Sequence, residues 1–163
     1  MITVRPAIPA DASQMTDLIN TIIKTGGTTA HQTLFDDARM LNHYLAPEDL
    51  VSCMVAYKDD ELLGFQSLKW PEPDANPPDR VWGYIASFVK EGQQGKGVGY
   101  RLFSATKSAA QSAGVNAIDA TIRADNIGGL AFYEKMGFRE SARFSAPLTD
   151  GTSVDRIRKD LLL

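Results

Sequence analysis

The sequence contains a single cysteine, Cys53, so a fold held together by internal disulfides is excluded. Cys53 lies in the apolar run of residues 51–57, which predicts a buried thiol rather than a nucleophile. No apolar run approaches the ~18 residues that a membrane span needs. The N-terminus also lacks a basic segment followed by an apolar core, the pattern of a signal peptide. We therefore expect a soluble, cytoplasmic protein without a membrane partner.

The chain also lacks a large excess of either positive or negative charge. The 17 basic and 20 acidic residues give a net charge of −3, and neither sign forms runs. Nucleic acids and anionic membranes select basic patches, so neither is expected as the main partner. A chain of 163 residues suits one domain with a full core. We predict a single domain over residues 1–163 and no metal ion.

Hydrophobic periodicity predicts alternating strands and helices. Short β-rich runs predict strands at residues 2–5, 51–57, 62–68, 81–89, 117–122, 139–146 and 153–161. A first helix should start near Pro9 and Asp11, and a second should cover about residues 36–45 with Leu34, Ala38, Leu41 and Tyr44 on one face. The proline-rich stretch 70–79 must be a loop. This order predicts an α/β fold with a mixed sheet and helices on both faces.

The most informative segment is the glycine-rich stretch 94–99, Gln-Gly-Lys-Gly-Val-Gly. It follows the strand-like run 81–89 and precedes an amphipathic helix that should end at Gly114. The predicted buried positions of that helix are Val98, Leu102, Ala105, Ala109 and Ala113. Glycines before a helix leave backbone N–H groups accessible at the positive end of the helix dipole. The segment therefore predicts a site for an anion such as a pyrophosphate.

Two of the three known types of glycine loop do not fit. A P-loop needs Ser or Thr after its lysine, but Lys96 is followed by Gly97. A dinucleotide fingerprint could use Asp119 as its acid, but its third glycine would fall on Tyr100 or Leu102. The third type, [Q/R]-x-x-G-x-[G/A], is satisfied by residues 94–99.

A second segment supports the third type. In residues 126–138, Asn126 is followed seven residues later by Tyr133 and then by the pair Gly137 and Phe138. With the glycine loop, this run resembles the GNAT superfamily of acetyl-CoA-dependent N-acetyltransferases. The resemblance covers almost the whole chain and implies a GNAT-fold domain with a mixed, mostly antiparallel central sheet.

The resemblance implies specific roles. Backbone N–H groups of the glycine loop would carry the pyrophosphate, and the thioester would lie along the end of the preceding strand. Asn126 should cap its helix and could contact the cosubstrate. The residues that the resemblance assigns to acetyl-CoA are Phe88, Val89, Gln94, Gly95, Lys96, Gly97, Val98, Gly99, Tyr100 and Asn126.

Tyr133 is the expected catalytic residue, because relatives keep a general acid at this place to protonate the departing thiolate. The alternative is that Tyr133 belongs to an apolar patch with Leu130 and Phe138. Many relatives carry a basic glutamate on the strand before the loop, but residues 81–89 contain no acid. Glu91, His31 and a water chain therefore remain open as the general base.

The predicted function is transfer of an acetyl group from acetyl-CoA to the primary amine of a small molecule, by direct attack in a ternary complex. The layout is similar to that of the phosphinothricin-type branch, and a homodimer is plausible. Two alternatives remain: acetylation of a protein N-terminus, and a non-catalytic acyl-CoA-binding domain with a regulatory role.

Overall fold

The computed structural model describes residues 1–75 and 78–163. Asn76 and Pro77, which belong to the predicted proline-rich loop, lie outside the described residues. The strands are β1 (Ile2–Pro6), β2 (Leu50–Lys58), β3 (Glu61–Lys69), β4 (Trp82–Val89), β5 (Ala117–Arg123), β6 (Arg139–Pro147) and β7 (Ser153–Leu162). The helices are α1 (Ala12–Thr25), α2 (Asp37–Met40), α3 (Val98–Ser112) and α4 (Ile127–Lys135). These elements confirm the predicted order.

The described strands form one sheet in the order β1-β2-β3-β4-β5-β7-β6. All neighbours are antiparallel except β4 and β5, which run parallel. The helices cover both faces: Val55 of β2 packs in a cluster with α1, whereas the next residue, Ala56, packs in a cluster with α3. Successive strand residues point to opposite faces, so the expected α/β architecture is confirmed.

The parallel pair is short. β4 and β5 pair only from Trp82 to Tyr84 on β4, opposite residues 117–119 of β5. On its other side, β4 stays paired with β3 as far as Val89. Among the described residues, the second half of β4 therefore has no strand partner on the β5 side, and a wedge opens between the carboxyl ends of β4 and β5.

The predicted face of the second helix is half right. Tyr44 is buried and Leu41 is partly buried in the same cluster, whereas Leu34 is 47% exposed and Ala38 is exposed, and Phe35 and Met40 are buried instead. Leu34 lies before the helix, which continues as a turn of π-helix over Leu41–Leu45, closed by a hydrogen bond from the Ala46 N–H to the Leu41 carbonyl. A π turn holds more residues than an α turn, so the buried face differs from that of a regular helix.

The predicted face of α3 needs a smaller correction. Ala113 is exposed and Ala105 and Ala109 are only partly buried. The buried residues of α3 are Val98, Leu102, Phe103, Thr106 and Ala110. These positions keep the helical period, but they include the larger Phe103 instead of the predicted alanines. Gly114 has φ +84°, which confirms its predicted left-handed position after the helix.

None of the helices in the described part of the chain combines the length and apolar character that a membrane crossing requires.

Candidate active site

The loop before α3 is built by two glycines in left-handed conformations. Gly95 has φ +76° and Gly97 has φ +84°, and a Cβ atom at either position would meet no atom within 4 Å. Glycine is therefore needed for the backbone turn rather than for space. The result is a chain that enters α3 with its N–H groups directed along the start of the helix.

The start of α3 leaves backbone donors available. The helix's first intrahelical bond joins the Arg101 N–H to the Gly97 carbonyl at 3.0 Å. The N–H groups of residues 98–100 precede it and have no earlier carbonyl within the helix. The Lys96 N–H donates to the Gln93 carbonyl at 3.3 Å, so this amide of the predicted set is engaged in a turn. The amides of the first helical turn form the better anion site.

Side chains at the start of α3 have distinct positions. Val98 is 1% exposed and packs with Ala56 and Leu102, which anchors the helix start to the sheet. Tyr100 is 63% exposed. It lines a surface cleft of about 790 Å³ together with Lys96 and Arg101, two cations beside the positive end of the helix. The surroundings of the first turn of α3 are therefore favourable for a phosphate group.

Gly99 has a different role from the two loop glycines. A Cβ atom at Gly99 would lie 2.7 Å from Cε2 of Phe132 on α4. No real Cβ makes such a contact, so Gly99 permits the close approach of α3 and α4. The glycine loop is in this way packed directly against the helix that carries Tyr133.

Tyr133 lies at the wedge between β4 and β5. Its hydroxyl shares a hydrogen bond of 2.7 Å with Oγ of Ser87 on β4. Ser87 Oγ in turn accepts a hydrogen bond of 2.8 Å from Nε2 of Gln66 on β3. Burial raises the pKa of Tyr133 to about 12, although the hydrogen bond with Ser87 opposes the shift. The phenol is therefore protonated at neutral pH and can donate a proton.

Asn126 confirms its predicted role as a helix cap. Its Oδ1 accepts a hydrogen bond of 2.9 Å from the Gly129 N–H. Its Nδ2 donates to the carbonyl of Thr28 at 3.2 Å, a contact that the sequence did not indicate. Asn126 therefore joins α4 to the segment after α1, and its contact with a cosubstrate stays a prediction.

The α1–α2 loop, residues 26–36, extends across the open end of the wedge. Thr25, the last residue of α1 and the one directly before the loop, donates a hydrogen bond of 2.8 Å to Glu91, just after β4. The Thr29 carbonyl accepts from Arg123, at the end of β5, at 3.2 Å. Gln32 donates to Asp150, in the β6–β7 turn, at 3.0 Å. The loop is therefore tied to three separate elements around the site.

His31 lies in this loop, and the ring of His43 packs 5.3 Å from that of His31. Nε2 of His31 shares a hydrogen bond of 2.7 Å with the hydroxyl of Tyr44, and the ring of His31 lies 6.4 Å from that of Phe88. Burial, with help from nearby cations, lowers the pKa of both His31 and His43 to about 4. Each imidazole is therefore neutral at neutral pH and has an unprotonated ring nitrogen.

Two further predicted residues can be placed. Cys53 is 6% exposed, and burial raises its pKa to about 12, so its thiol is poorly suited to nucleophilic attack. Glu91 is exposed and accepts the hydrogen bond from Thr25 described above. Among residues 1–75 and 78–163, no group of three or more histidine, cysteine or acidic side chains is placed to hold a metal ion.

The sequence signals missed Ser87 and Gln66 as partners of Tyr133. Ser87 was visible as a polar residue in an apolar strand, and Gln66 was a polar residue in the adjacent predicted strand. Their connection depends on the register that sets Gln66 opposite Ser87. The Phe88 side chain faces the other side of the sheet, where it packs among residues of the α1 and α2 cluster.

Comparisons with known proteins bear on this site. A sequence model of the acetyltransferase (GNAT) family matches residues 16–138. A search of curated proteins gave no match.

Solved structures share the fold. A ribosomal-protein-alanine N-acetyltransferase from Brucella melitensis superposes with a TM-score of 0.83 at 20% identity, covering 99% of each chain. A GNAT superfamily phosphinothricin acetyltransferase from Sinorhizobium meliloti, in complex with acetyl-CoA, has a TM-score of 0.80 at 19% identity, covering 99% of this chain and 88% of the other. A protein from Salmonella typhimurium, solved with its cofactor acetyl-CoA, has a TM-score of 0.76 at 21% identity, covering 99% and 94%.

Proposed function

The chain belongs to the acetyltransferase (GNAT) family, and from that premise we propose that it transfers the acetyl group of acetyl-CoA to the primary amine of a small molecule. The observation that carries this proposal is the meeting of three features at one wedge of the sheet. They are the amides of the first turn of α3, the edge of β4 that has no strand partner on the β5 side among the described residues, and the buried phenol of Tyr133. The three features correspond to three requirements of acetyl transfer from acetyl-CoA: binding of the pyrophosphate, binding of the pantetheine arm and protonation of the thiolate.

Binding of acetyl-CoA follows from the first two features. The pyrophosphate would accept hydrogen bonds from the N–H groups of residues 98–100, with Lys96 and Arg101 beside it. The pantetheine arm would lie in the wedge and bond to the free backbone of β4, as an added strand does. This puts the thioester near Phe88 and Val89, where a backbone N–H can stabilise the oxyanion of the tetrahedral intermediate.

The chemical step is a direct attack. The neutral amine attacks the thioester carbonyl, the C–S bond breaks, and the thiolate of coenzyme A leaves. The nitrogen of the tetrahedral intermediate loses a proton to water as the carbonyl re-forms. Tyr133, whose phenol is protonated at neutral pH, gives its proton to the thiolate, and the proton that the nitrogen released restores the phenol. The buried thiol of Cys53 supports a single displacement rather than an acyl-enzyme.

An alkylammonium acceptor must lose a proton before it attacks. Of the candidates from the sequence, His31 has a neutral imidazole beside the Phe88 end of β4. The low pKa of His31 makes it a weak base. We therefore assign it the role of a relay, which takes the proton from the alkylammonium group and passes it on to water. Glu91 remains the alternative, at the start of the glycine loop and bonded to Thr25.

The small-molecule acceptor is supported by the α1–α2 loop. Its bonds to Glu91, Arg123 and Asp150 span the opening on the side from which an amine would approach. A loop held in this way favours a compact acceptor over an extended peptide. The homodimer expected from the sequence stays a prediction.

The test is thiol release from acetyl-CoA against a panel of amines. The panel contains amino acids, polyamines, aminoglycosides and short peptides with free N-termini, since the Brucella relative is named for a protein substrate. We expect release above the acceptor-free rate with a small amine. Release only with peptides would overturn the small-molecule assignment, and release with none, despite acetyl-CoA binding, would support a non-catalytic acyl-CoA-binding domain.

A further inference from the structure

Gln66 is a buried amide on β3 that faces Tyr133. Its neighbour Phe65 packs in the cluster with α1, whereas Leu68, two residues beyond Gln66, packs in the cluster that contains Tyr133. Alternation along the strand therefore places the Gln66 side chain on the Tyr133 face of the sheet. Gln66 is fully buried, and its Oε1 has no hydrogen-bond partner among residues 1–75 and 78–163. A buried oxygen without a partner lowers stability, so packing alone does not explain this amide.

The nitrogen of the same amide is paired. Nε2 of Gln66 donates to Oγ of Ser87 at 2.8 Å, and an amide nitrogen can only donate. Gln66 therefore occupies a lone pair of Ser87 and takes no proton from it through this bond. The single proton of the Ser87 hydroxyl has one other polar side chain within reach in the described part of the chain, the hydroxyl of Tyr133 at 2.7 Å.

The two remaining protons have two arrangements. In the first, Ser87 donates to the Tyr133 oxygen, and the Tyr133 proton is free for a group in the wedge. In the second, Tyr133 donates to Ser87, and the Ser87 proton has no acceptor among the described side chains. A buried donor without an acceptor costs free energy, so the first arrangement is favoured once a sulfur atom lies beside the phenol. Only the first arrangement can protonate a departing thiolate directly.

The first arrangement also stabilises the phenolate that forms when Tyr133 loses its proton. Burial raises the pKa of Tyr133 to about 12, above the value of about 8.5 for a simple thiol, and the hydrogen bond with Ser87 lowers it. A hydroxyl that accepts one hydrogen bond becomes a better donor in the next, because neighbouring hydrogen bonds polarise one another. Donation from Gln66 therefore strengthens the bond that Ser87 gives to the phenolate.

We infer that Gln66 is a positioning residue for the proton transfer: its donation to Ser87 directs the Ser87 proton to the Tyr133 oxygen and leaves the Tyr133 proton for the departing thiolate. In this step the O–H bond of Tyr133 breaks and the S–H bond of coenzyme A forms. Ser87 keeps its own proton and donates a hydrogen bond to the phenolate. The inference rests on the proposed acetyl transfer and adds a residue that acts through Ser87 and Tyr133.

The experiment is a double-mutant cycle of Gln66→Met and Tyr133→Phe. Methionine is close to glutamine in length and suits an apolar interior, but it has no N–H donor. We expect Gln66→Met to lower kcat by about three- to tenfold, the range of one neutral hydrogen bond, with the KM for acetyl-CoA unchanged. In the Tyr133→Phe background the same substitution should leave kcat unchanged, because no phenol remains to be positioned. Gln66→Leu repeats the test with a second apolar side chain.

The control is Thr16→Val on α1. Thr16 is also buried, and its hydroxyl has no partner in the part of the chain that the structure describes. Helix α1 packs on the other face of the sheet, in the cluster that contains Phe65. Thr16→Val therefore removes a comparable buried polar group away from Ser87 and should keep the wild-type kcat. Urea unfolding should show no loss of stability in Gln66→Met, because an unpaired buried oxygen is removed.

Each outcome decides between the inference and the proposed function. A loss of kcat in Gln66→Met that disappears in the Tyr133→Phe background supports the inference. An unchanged or raised kcat overturns it, since Ser87 then directs its proton without Gln66. An equal loss in both backgrounds, or a similar loss in Thr16→Val, also overturns it by showing a structural role, and acetyl transfer stands. Binding of acetyl-CoA without transfer to any amine in the panel overturns both.

Discussion

The hydroxyl of Tyr133 on α4 lies 2.7 Å from Oγ of Ser87 on β4. Ser87 also accepts a hydrogen bond from Gln66 of β3, so the proposed acid is held by side chains from two adjacent strands. Gln66 is fully buried, and its Oε1 has no partner among the described residues. The position of the phenol is therefore coupled to the strand along which the thioester would lie.

The first prediction concerns Tyr133. Tyr133→Phe should lower kcat by at least about tenfold, since a proton donor contributes about 10²–10⁴ in rate. The affinity for acetyl-CoA, measured by calorimetry, should change little, because the ring is retained. Ser87→Ala is the companion variant. It keeps the phenol but removes the hydrogen bond that holds it in position, so a smaller loss of kcat is expected. Unchanged turnover in Tyr133→Phe would remove Tyr133 from the mechanism.

The second prediction concerns the contact between α3 and α4. Gly99→Ala would set a Cβ 2.7 Å from Phe132, and such overpacking costs about 1–3 kcal/mol of unfolding free energy. It should also lower kcat, because Phe132 precedes Tyr133. Gly128→Ala is the matched control on α4, since its Cβ would meet nothing within 4 Å and Ala favours a helix by up to about 1 kcal/mol. Urea unfolding that ranks Gly99→Ala as the more stable variant would contradict this packing.

The third prediction separates the two bonds of Asn126. Asn126→Asp keeps an oxygen acceptor for the Gly129 N–H but loses the donor to Thr28. Asn126→Ala loses both and should destabilise the protein by about 1 kcal/mol, the usual value of a helix cap. Both variants should speed hydrogen exchange of the amides in the α1–α2 loop, whereas only Asn126→Ala should lower the urea midpoint clearly. Unchanged exchange in both variants would show that this contact does not hold the loop.

The fourth prediction concerns pH. His31 and His43 have a pKa of about 4 in the folded protein, below the ordinary value near 6.5. As pH falls below about 6.5, the unfolded chain binds protons before the folded protein does, so stability is complete above that pH and is lost down to about pH 4. The double variant His31→Gln, His43→Gln should show a shallower loss of unfolding free energy between pH 7 and 4.5. Equal slopes in both proteins would show that the imidazoles are not desolvated.

The carboxylate of Asp11 is separated from this effect by its pH range. Burial would raise the pKa of Asp11, but hydrogen bonds from Arg5, the Ile8 N–H and Tyr57 hold it below its usual value near 3.8. The stability that Asp11 contributes is therefore lost only below about pH 4. Asp119, whose pKa burial raises, is present in both proteins, so its contribution cancels when their slopes are compared.

The positions of strands and helices could be predicted from the sequence because they depend on local period and on turn residues. The run 94–99 and Asn126 could be read in the same way, since a left-handed glycine and a helix cap are local features. The buried face of the second helix was predicted only in part, because Leu34 lies before the helix and a π turn changes the period within five residues, which no regular pattern indicates.

Contacts between distant segments could not be predicted. Gln66 is a polar residue in an otherwise apolar strand, and only the register of β3 and β4 brings it to Ser87 and Tyr133. Arg123 and Arg156 stand opposite each other in the sheet only because β7 lies between β5 and β6. Nothing local to either arginine indicates its neighbour.

The place of β7 has a consequence for protein synthesis. β7 is the last strand along the described chain, yet it lies inside the sheet and pairs with β5 along residues 117–123. A nascent chain that has made β5 and β6 still has an open strand edge at β5, with unpaired backbone groups that can join another chain. The sheet is thus completed only once β7 has been made, and chains that stop before β7 should aggregate rather than accumulate as shortened folded domains.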